Sequence, residues 1–245
     1  TAPWMLMFSD TFDDSDTGDI QGQKGWRATC AYGGRVQTGT TYGGSAKACA
    51  ISNTVLRHDF SDPFATNELW SEFYAIPIRA DLDNVPLEAT VAFCVYTTGY
   101  IKVLDGNTER LLTNGPVIPT NSWTKFGVRS NYKTRKWNLY VNNAAVATNL
   151  GFRSGSTTCF GRFDAVETSI NLPSYLDNIT ISRFNPTQAL GGTCIQIDEH
   201  MRSLYSLPFT DTFEGYSAGT INGYGGWIGS PAASAQIQTS VRYGG

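Results

Sequence analysis

Two pairs of carboxylates are close enough in the sequence to be considered for acid–base catalysis. Glu68 and Glu72, in NELWSE, share one face of a regular strand but would stand about 13 Å apart on it. Asp164 and Glu167 are three residues apart, and this odd spacing points them to opposite faces. Hydrolysis of a glycosidic bond needs carboxyl groups about 5–5.5 Å or about 6.5–9.5 Å apart. Neither pair therefore predicts a glycosidase, and solvation at the surface accounts for both.

Nucleophilic catalysis has no better candidate. The sequence contains no Gly-x-Ser-x-Gly motif. His58 and His200 are isolated, so no cysteine has a persuasive histidine partner. We predict that the protein is not an enzyme.

The cysteines lack the C-x-x-C spacing of zinc and haem sites. They are Cys30, Cys49, Cys94, Cys159 and Cys194. In an oxidising compartment two pairs would form, and we predict Cys30 with Cys49 and Cys94 with Cys159. Cys194 would then be free or bonded to another chain. The alternative is that the thiols stay reduced and buried in the core of a β-sandwich.

An acidic run, DDSDTGD at residues 13–19, offers the oxygen ligands that Ca²⁺ prefers. The candidate ligands are Asp13, Asp14, Asp16 and Asp19. A solvated acidic loop is the alternative. Apart from calcium at this loop, the sequence predicts no cofactor.

A glycan-binding site would need exposed aromatic rings with polar side chains beside them. The sequence offers Trp70, Tyr96, Tyr100, Trp123 and Tyr132 for this purpose. Tryptophan at strand positions is more often part of a core, and tyrosine at strand ends is often ordinary surface. The sequence therefore assigns the glycan-binding role to none of them.

The composition indicates what kind of scaffold positions these residues. Charged residues make up only 16% of the chain and aromatic residues 13%, and there are 25 glycines, a balance that suits strands and turns. The net charge is −3 and the basic residues are scattered, which argues against nucleic-acid binding and against a basic membrane-binding patch. No apolar run approaches the roughly 20 residues of a membrane span. We expect an extracellular or cell-surface protein that does not insert into a membrane.

Short strand patterns recur along the first three quarters of the chain and are separated by Gly- and Asn-rich turns. The pattern predicts strands over 4–9, 34–38, 46–58, 68–77, 87–97, 99–105, 123–132, 136–142, 144–150, 158–167 and 174–183. Residues 137–150 read as a hairpin in which Trp137, Leu139 and Val141 face the same way. Many short strands with few helical patterns predict an all-β protein, a two-sheet antiparallel jelly-roll sandwich.

The chain repeats its own beginning near its end. Residues 8–44 align without a gap with residues 209–245, at an offset of 201 and with 15 identities over 37 positions. The retained residues include Phe8, Phe12 and Trp26, which correspond to Phe209, Phe213 and Trp227. Phe8 and Phe12 would lie on one face of an extended strand. The repeat preserves packing and turn residues, whereas only one acid of the calcium candidate is kept.

We divide the chain into a sandwich domain over 1–184, a linker over 185–206 and a partial second repeat over 207–245. Standing alone, this last segment would expose Phe209, Phe213 and Trp227, which are therefore candidates for an assembly contact. Three arrangements stay open. Later residues of a longer protein complete the second sandwich, or the segment docks on its own first domain, or it adds strands to a neighbouring molecule.

The order of motifs points to a known superfamily. After the F-x-D-x-F…GW opening come YGGSAKACAI (42–51), ELWSEFYAIPI (68–78), GYIKVLDGN (99–107), SWTKFGVRSNYKTRKWNLYVNN (122–143) and YLDNITIS (175–182). This order resembles the concanavalin A-like lectin/glucanase superfamily in its laminin-G-like branch, whose modules recur in large bacterial surface and secreted proteins. The resemblance implies a jelly roll with its first and last strands side by side. It also implies that Asp177 supports backbone geometry near the closing strand.

The resemblance leaves several functions open. Glucanases of the superfamily carry a Glu-x-Asp-x-x-Glu strand that this sequence lacks, so a glucanase-like glycosidase is disfavoured. We predict a non-catalytic structural or adhesive repeat that associates with itself or with neighbouring repeats, by strand exchange or tandem packing, into a surface filament or layer. A lectin-like module with glycan partners is the alternative.

Overall fold

The computed structural model of the chain describes residues 6–64, 66–83 and 85–183, together with two short strands in the second repeat. The chain forms two compact units, residues 1–191 and 192–245. The linker proposed for 185–206, Cys194 and the assembly candidates Phe209, Phe213 and Trp227 lie outside the described residues.

The first unit is built around a nine-stranded antiparallel sheet. Its strands are β1 (Leu6–Asp10), β2 (Gly18–Asp19), β4 (Gly34–Gln37), β5 (Ala48–Ile51), β7 (Glu68–Ile76), β11 (Thr124–Asn131), β12 (Lys136–Val141), β13 (Ala144–Gly151) and β15 (Ser174–Ser182). Their order is β13-β12-β11-β7-β15-β5-β4-β2, with β1 paired to β15. The first and last strands of the domain thus lie side by side, as the resemblance implies.

Two three-stranded sheets complete the architecture. One has the order β14-β6-β3, with β3 at Trp26–Ala28, β6 at Thr54–Phe64 and β14 at Phe160–Glu167. The other has the order β10-β9-β8, with β8 at Phe93–Val95, β9 at Ile101–Asp105 and β10 at Thr108–Leu111. A single 3-10 turn, Gln23–Gly25, precedes β3.

The core lies between the large sheet and the two small ones. One apolar cluster joins Leu69, Phe126 and Trp137 of the large sheet to Ile101 and Val103 of β9, and a second cluster contains Trp26. The hairpin residues Trp137, Leu139 and Val141 all point inward and are at most 4% exposed. The prediction of an all-β, antiparallel sandwich is therefore confirmed.

Three local predictions need correction. The strand predicted over 46–58 is two strands, because Asn53 adopts a positive φ of 45° between β5 and β6. The strand predicted over 87–97 shortens to Phe93–Val95, since a turn that begins at Pro86 occupies its first half. Phe12 does not share a strand with Phe8, because β1 ends at Asp10 and Phe12 turns with a φ of 60°. The sequence patterns also missed the short strands β2, β3 and β10.

The predicted disulfides are not formed: Cys30, Cys49, Cys94 and Cys159 are free thiols. Cys49 is fully buried in the core, whereas Cys30 is exposed. Burial raises the pKa of the Cys49 and Cys94 thiols to about 12, which suppresses the thiolate that disulfide formation requires. The alternative of reduced thiols in a sandwich core describes Cys49.

The described part of the second unit repeats a backbone register of the first. In the first unit β2 pairs with β4 so that Gly18 faces Val36 and Asp19 faces Arg35. In the second unit β16 (Gly219–Thr220) pairs with β17 (Gln236–Ile237) so that Gly219 faces Ile237 and Thr220 faces Gln236. Each partner is shifted by the 201 residues of the sequence repeat.

In the part of the chain that the structure describes, no helix is both long and apolar enough to cross a membrane.

Candidate ligand-binding face

One face of the nine-stranded sheet points away from the core and is called the outer face below. It carries charged, polar and aromatic side chains from three neighbouring strands. Along β7, Leu69 and Phe73 belong to the core cluster. Because successive side chains of a strand alternate, Glu68, Trp70, Glu72 and Tyr74 belong to the outer face. The same alternation assigns Lys125, Gly127, Arg129 and Asn131 of β11, and Asn138 and Tyr140 of β12, to this face.

One end of the outer face carries four half-buried aromatic side chains, called the aromatic patch: Tyr42, Tyr74, Trp123 and Tyr175. The rings of Tyr42 and Tyr74 stack with centroids 3.6 Å apart and planes inclined by 18°. Trp123 meets Tyr42 edge-on at 5.9 Å and Tyr175 edge-on at 6.5 Å. Burial, aided by hydrogen bonding to Tyr42, raises the pKa of the Tyr74 hydroxyl to about 12. The Tyr74 ring therefore remains neutral near pH 7.

Asp177 fixes the loop that brings Tyr42 to this patch. The Asp177 carboxylate accepts hydrogen bonds from the backbone N–H of Tyr42 at 3.0 Å, from Ser45 Oγ at 3.3 Å and from the N–H of Asn178 at 2.7 Å. Gly43 and Gly44, between these donors, both have positive φ values. Asp177 is fully buried, and this burial raises its pKa, an effect that the three hydrogen bonds oppose. Asp177 is thus a positioning residue for the patch.

The carboxylates in the middle of the outer face are engaged in ion pairs. Glu68 accepts two hydrogen bonds from Arg129, at 2.8 and 2.7 Å, and raises the pKa of that guanidinium. Glu72, 8% exposed, lies 2.8 Å from the Lys125 ammonium. Neither carboxylate is available as a free acid or base.

Trp70 supports this middle region from below. Trp70 is only 7% exposed. The centroid of its ring lies 5.1 Å from the centroid of the Tyr140 ring and 5.9 Å from the Arg129 guanidinium carbon. Gly127 contributes no side chain, and an added Cβ there would stand 3.4 Å from Tyr140 Cβ. Gly127 is buried, and the side chains of Tyr140 and Glu72 pack beside it.

A polar groove of about 300 Å³ lies at the other end of β11 and β12. It is lined by Arg129, Asn131, Thr134, Lys136, Asn138, Thr148 and Asn149. From Lys125, beside the aromatic patch, to Asn131 the strand runs about 20 Å. The groove and the patch are thus two ends of one elongated surface.

The calcium candidate is not assembled. Asp13 accepts the N–H of Lys47 at 2.9 Å, and Asp19 accepts the N–H groups of Gln21 and Tyr32. Within the described ranges, no group of three or more acidic, histidine or cysteine side chains has the geometry of a metal site. Asp13, Asp14, Asp16 and Asp19 do not form such a group in this structure, and the carboxylates of Asp13 and Asp19 accept hydrogen bonds from different backbone segments.

The other carboxylate pair, on β14, is also occupied. Asp164 forms a two-point ion pair with Arg57 at 2.9 and 3.0 Å. Glu167 is 4% exposed and accepts the N–H of Ser169 at 2.7 Å, and burial raises its pKa. Asp164 and Glu167 therefore each bind a different partner, and the two carboxylates do not form a shared site.

The aromatic residues named from the sequence separate into different roles. Tyr132 is a core residue in contact with Phe152, and Tyr96 lies beneath the ammonium of Lys102 at 4.0 Å. Of the five, Trp123 belongs to the aromatic patch. Sequence reasoning missed Tyr42, Tyr74 and Tyr175, although the Tyr42-Gly43-Gly44 triplet recurs in the repeat.

Comparisons with known proteins bear on the fold. No protein-family model matches the chain, and no curated protein matches it. Among solved structures, a sialidase has a TM-score of 0.51 at 13% identity over 74% of this chain. The chain spans only 19% of that sialidase.

Two further solved structures resemble the chain at lower TM-scores. Domain 4 of an extracellular GH43 arabinanase from Geobacillus stearothermophilus, in complex with arabinotriose, has a TM-score of 0.48 at 15% identity over 73% of this chain and 92% of its own. A botulinum neurotoxin serotype D ligand-binding domain, in complex with N-acetylneuraminic acid, has a TM-score of 0.45 at 14% identity over 73% of this chain and 47% of its own. Of these three structures, the sialidase has a TM-score above 0.5, and its likeness agrees with the sandwich described above.

Proposed function

We propose that the protein is a non-catalytic glycan-binding module that holds an oligosaccharide along the outer face. The observation that carries this proposal is the placement of the aromatic patch and the polar groove on one surface about 20 Å long. This proposal corresponds to the lectin-like alternative predicted from the sequence, and not to the structural or adhesive repeat. We propose both this function and an extracellular or cell-surface location, which would suit it.

The two ends of the face supply the two kinds of contact that saccharides require. Trp123 and Tyr175 present partly exposed rings on which the apolar face of a sugar can stack. The groove offers amide and hydroxyl groups that can exchange hydrogen bonds with sugar hydroxyls. A saccharide that reached from one end to the other would run along β11.

The use of the carboxylates on this face supports the non-catalytic part of the proposal. Glycoside hydrolysis needs one carboxyl group that donates a proton and another that attacks or activates water. Glu68 and Glu72 are instead paired with Arg129 and Lys125. Breaking either pair to free an acid would leave a charge without its partner.

Screening the full 245-residue chain on a glycan array is expected to reveal binding to a restricted group of saccharides. Trp123→Ala should weaken that binding about tenfold or more, because a stacked aromatic anchor contributes more than about 1 kcal/mol to such sites. Titration calorimetry with the best saccharide measures the loss.

Tyr32→Ala provides a matched control, since Tyr32 is 70% exposed and lies outside the aromatic patch. This variant should keep the affinity of the parent chain. An array without saccharide binding, or equal losses for the two variants, would contradict the proposal.

A second candidate function is self-association through the repeat, favoured by the identical strand register in the two units. In the first unit, Phe12 and Trp26 are fully buried in the core. Residues 207–245 would offer the equivalent Phe213 and Trp227 to a neighbouring molecule. We expect removal of 207–245 to reduce the assembly size measured by light scattering, and an unchanged size would remove this candidate.

A further inference from the structure

The groove end of the outer face is unusually rich in positive charge for this chain. The protein carries a net charge of −3, yet Lys133 and Arg135 of the turn after β11 precede Lys136, the first residue of β12, which lines the groove together with Arg129. None of the seven described lining residues is acidic. The local charge is therefore opposite in sign to that of the molecule as a whole.

Lys136 holds the least compensated charge in the groove. Arg129 is neutralised by its two hydrogen bonds to Glu68. No ion pair to Lys136 within 4.0 Å occurs among the residues that the structure describes. Asp105, whose charge acts on Lys136 at longer range, is already held by Arg110 at 2.6 Å and by the N–H of Gly151 at 2.7 Å. The Lys136 ammonium is exposed and free to meet an anion.

The amide side chains of the groove are oriented as donors. The Asn131 carbonyl oxygen accepts the N–H of Thr134 at 2.8 Å, and the Asn138 carbonyl oxygen accepts the N–H of Asn149 at 2.8 Å. With the oxygens engaged, the Nδ2 groups are the parts of these side chains left for a ligand. Donor amides beside a cation suit a ligand rich in acceptor oxygens.

We propose that the groove binds the acidic group of an anionic saccharide, a carboxylate or a sulfate, with Lys136 as the residue that selects for charge. This inference rests on the proposed glycan-binding function and specifies its ligand class. A carboxylate or a sulfate presents several acceptor oxygens, and charged hydrogen bonds to it are about twice as strong as neutral ones. The aromatic patch then holds neutral sugar units of the same chain.

The test compares three probes on the full chain by titration calorimetry: a heparin hexasaccharide, a hexagalacturonate and a neutral cellohexaose. Both anionic probes, or one of them, should bind more tightly than the neutral one, and the preferred probe distinguishes sulfate from carboxylate. Lys136→Gln should weaken anionic binding about tenfold, as expected for the loss of one charged hydrogen bond. Binding of cellohexaose should be unchanged in this variant.

Lys133→Gln is the matched control, because it removes the same charge three residues before Lys136 but lies outside the groove. It should leave the affinity within about twofold of the parent chain. Equal losses for the two lysine variants would show a general charge effect and overturn the inference. Neutral and anionic probes binding equally would also overturn it, although glycan binding itself would stand. Failure of all saccharides, here and on the array, would overturn the proposed function as well.

Discussion

Replacing Trp26 with alanine is expected to lower the free energy of unfolding of the first unit by about 3–5 kcal/mol. Trp26 is fully buried and lies at the centre of the second core cluster. Its ring contacts Phe12 at 5.6 Å, His58 at 5.0 Å and Phe163 at 6.2 Å, so its removal leaves a cavity bounded by aromatic side chains. Urea unfolding followed by near-ultraviolet circular dichroism measures the change.

The indole N–H adds a polar contribution that a second variant isolates. Trp26 Nε1 donates to Asp10 Oδ2 at 2.8 Å, and Asp10 Oδ1 accepts the N–H of Phe12 at 2.8 Å. Trp26→Phe keeps an aromatic ring but leaves a buried carboxylate oxygen without its donor. We expect a smaller loss, about 1–3 kcal/mol. A loss for the alanine variant no larger than this would show that the ring does not support the core.

The same contacts explain what the sequence repeat preserves. Asp10, Phe12 and Trp26 correspond to Asp211, Phe213 and Trp227 at the offset of 201. All three first-copy residues meet in one hydrogen-bonded, aromatic cluster. A substitution at Asp10 or Trp26 would leave a buried partner unsatisfied, and a substitution at Phe12 would remove the ring that packs against Trp26. These contacts account for their joint retention.

The strand pattern predicted the fold because apolar and polar residues alternate along a strand that has one buried face and one exposed face. The alternation of Trp137, Leu139 and Val141 with polar neighbours is sufficient to locate β12 and its inward face. Short strands escape such patterns: β2 has two residues and β3 three, too few to show a period. The break between β5 and β6 depends on the positive φ of Asn53. Apolar residues occur on both sides of Asn53, so the sequence pattern alone predicts one continuous strand.

The candidate site was much less accessible from the sequence. Tyr42, Tyr74 and Tyr175 come from a loop and two strands that are far apart in the chain. The register of β7 against β15 brings Tyr74 close to Tyr175, and the hydrogen bond from Tyr42 to Asp177 brings the loop to them. Each looks like ordinary strand or loop tyrosine by itself. The acidic run at 13–19 is the opposite case: its members are close in sequence, but Asp13 accepts the N–H of Lys47 whereas Asp19 accepts the N–H of Gln21.

Replacing Asp177 with alanine is expected to lower the free energy of unfolding by about 1–3 kcal/mol and to weaken glycan binding. The substitution leaves the N–H groups of Tyr42 and Asn178 and the hydroxyl of Ser45 without their common acceptor. A buried donor without an acceptor costs about 1–3 kcal/mol, and release of the loop to water recovers part of the summed cost. The released loop carries Tyr42 away from Tyr74 and so opens the aromatic patch.

Ser45→Ala separates these two consequences, because it removes the longest of the three hydrogen bonds and keeps both backbone contacts. This variant should lose no more than about 1 kcal/mol of stability and should bind saccharide as the parent chain does. Unfolding curves and titration calorimetry on the two variants provide both readouts. If Asp177→Ala lost stability but kept its full affinity, Tyr42 would belong to the scaffold, and the stacking surface would reduce to Trp123 and Tyr175. If it kept both, the buried carboxylate would have no role in holding the loop.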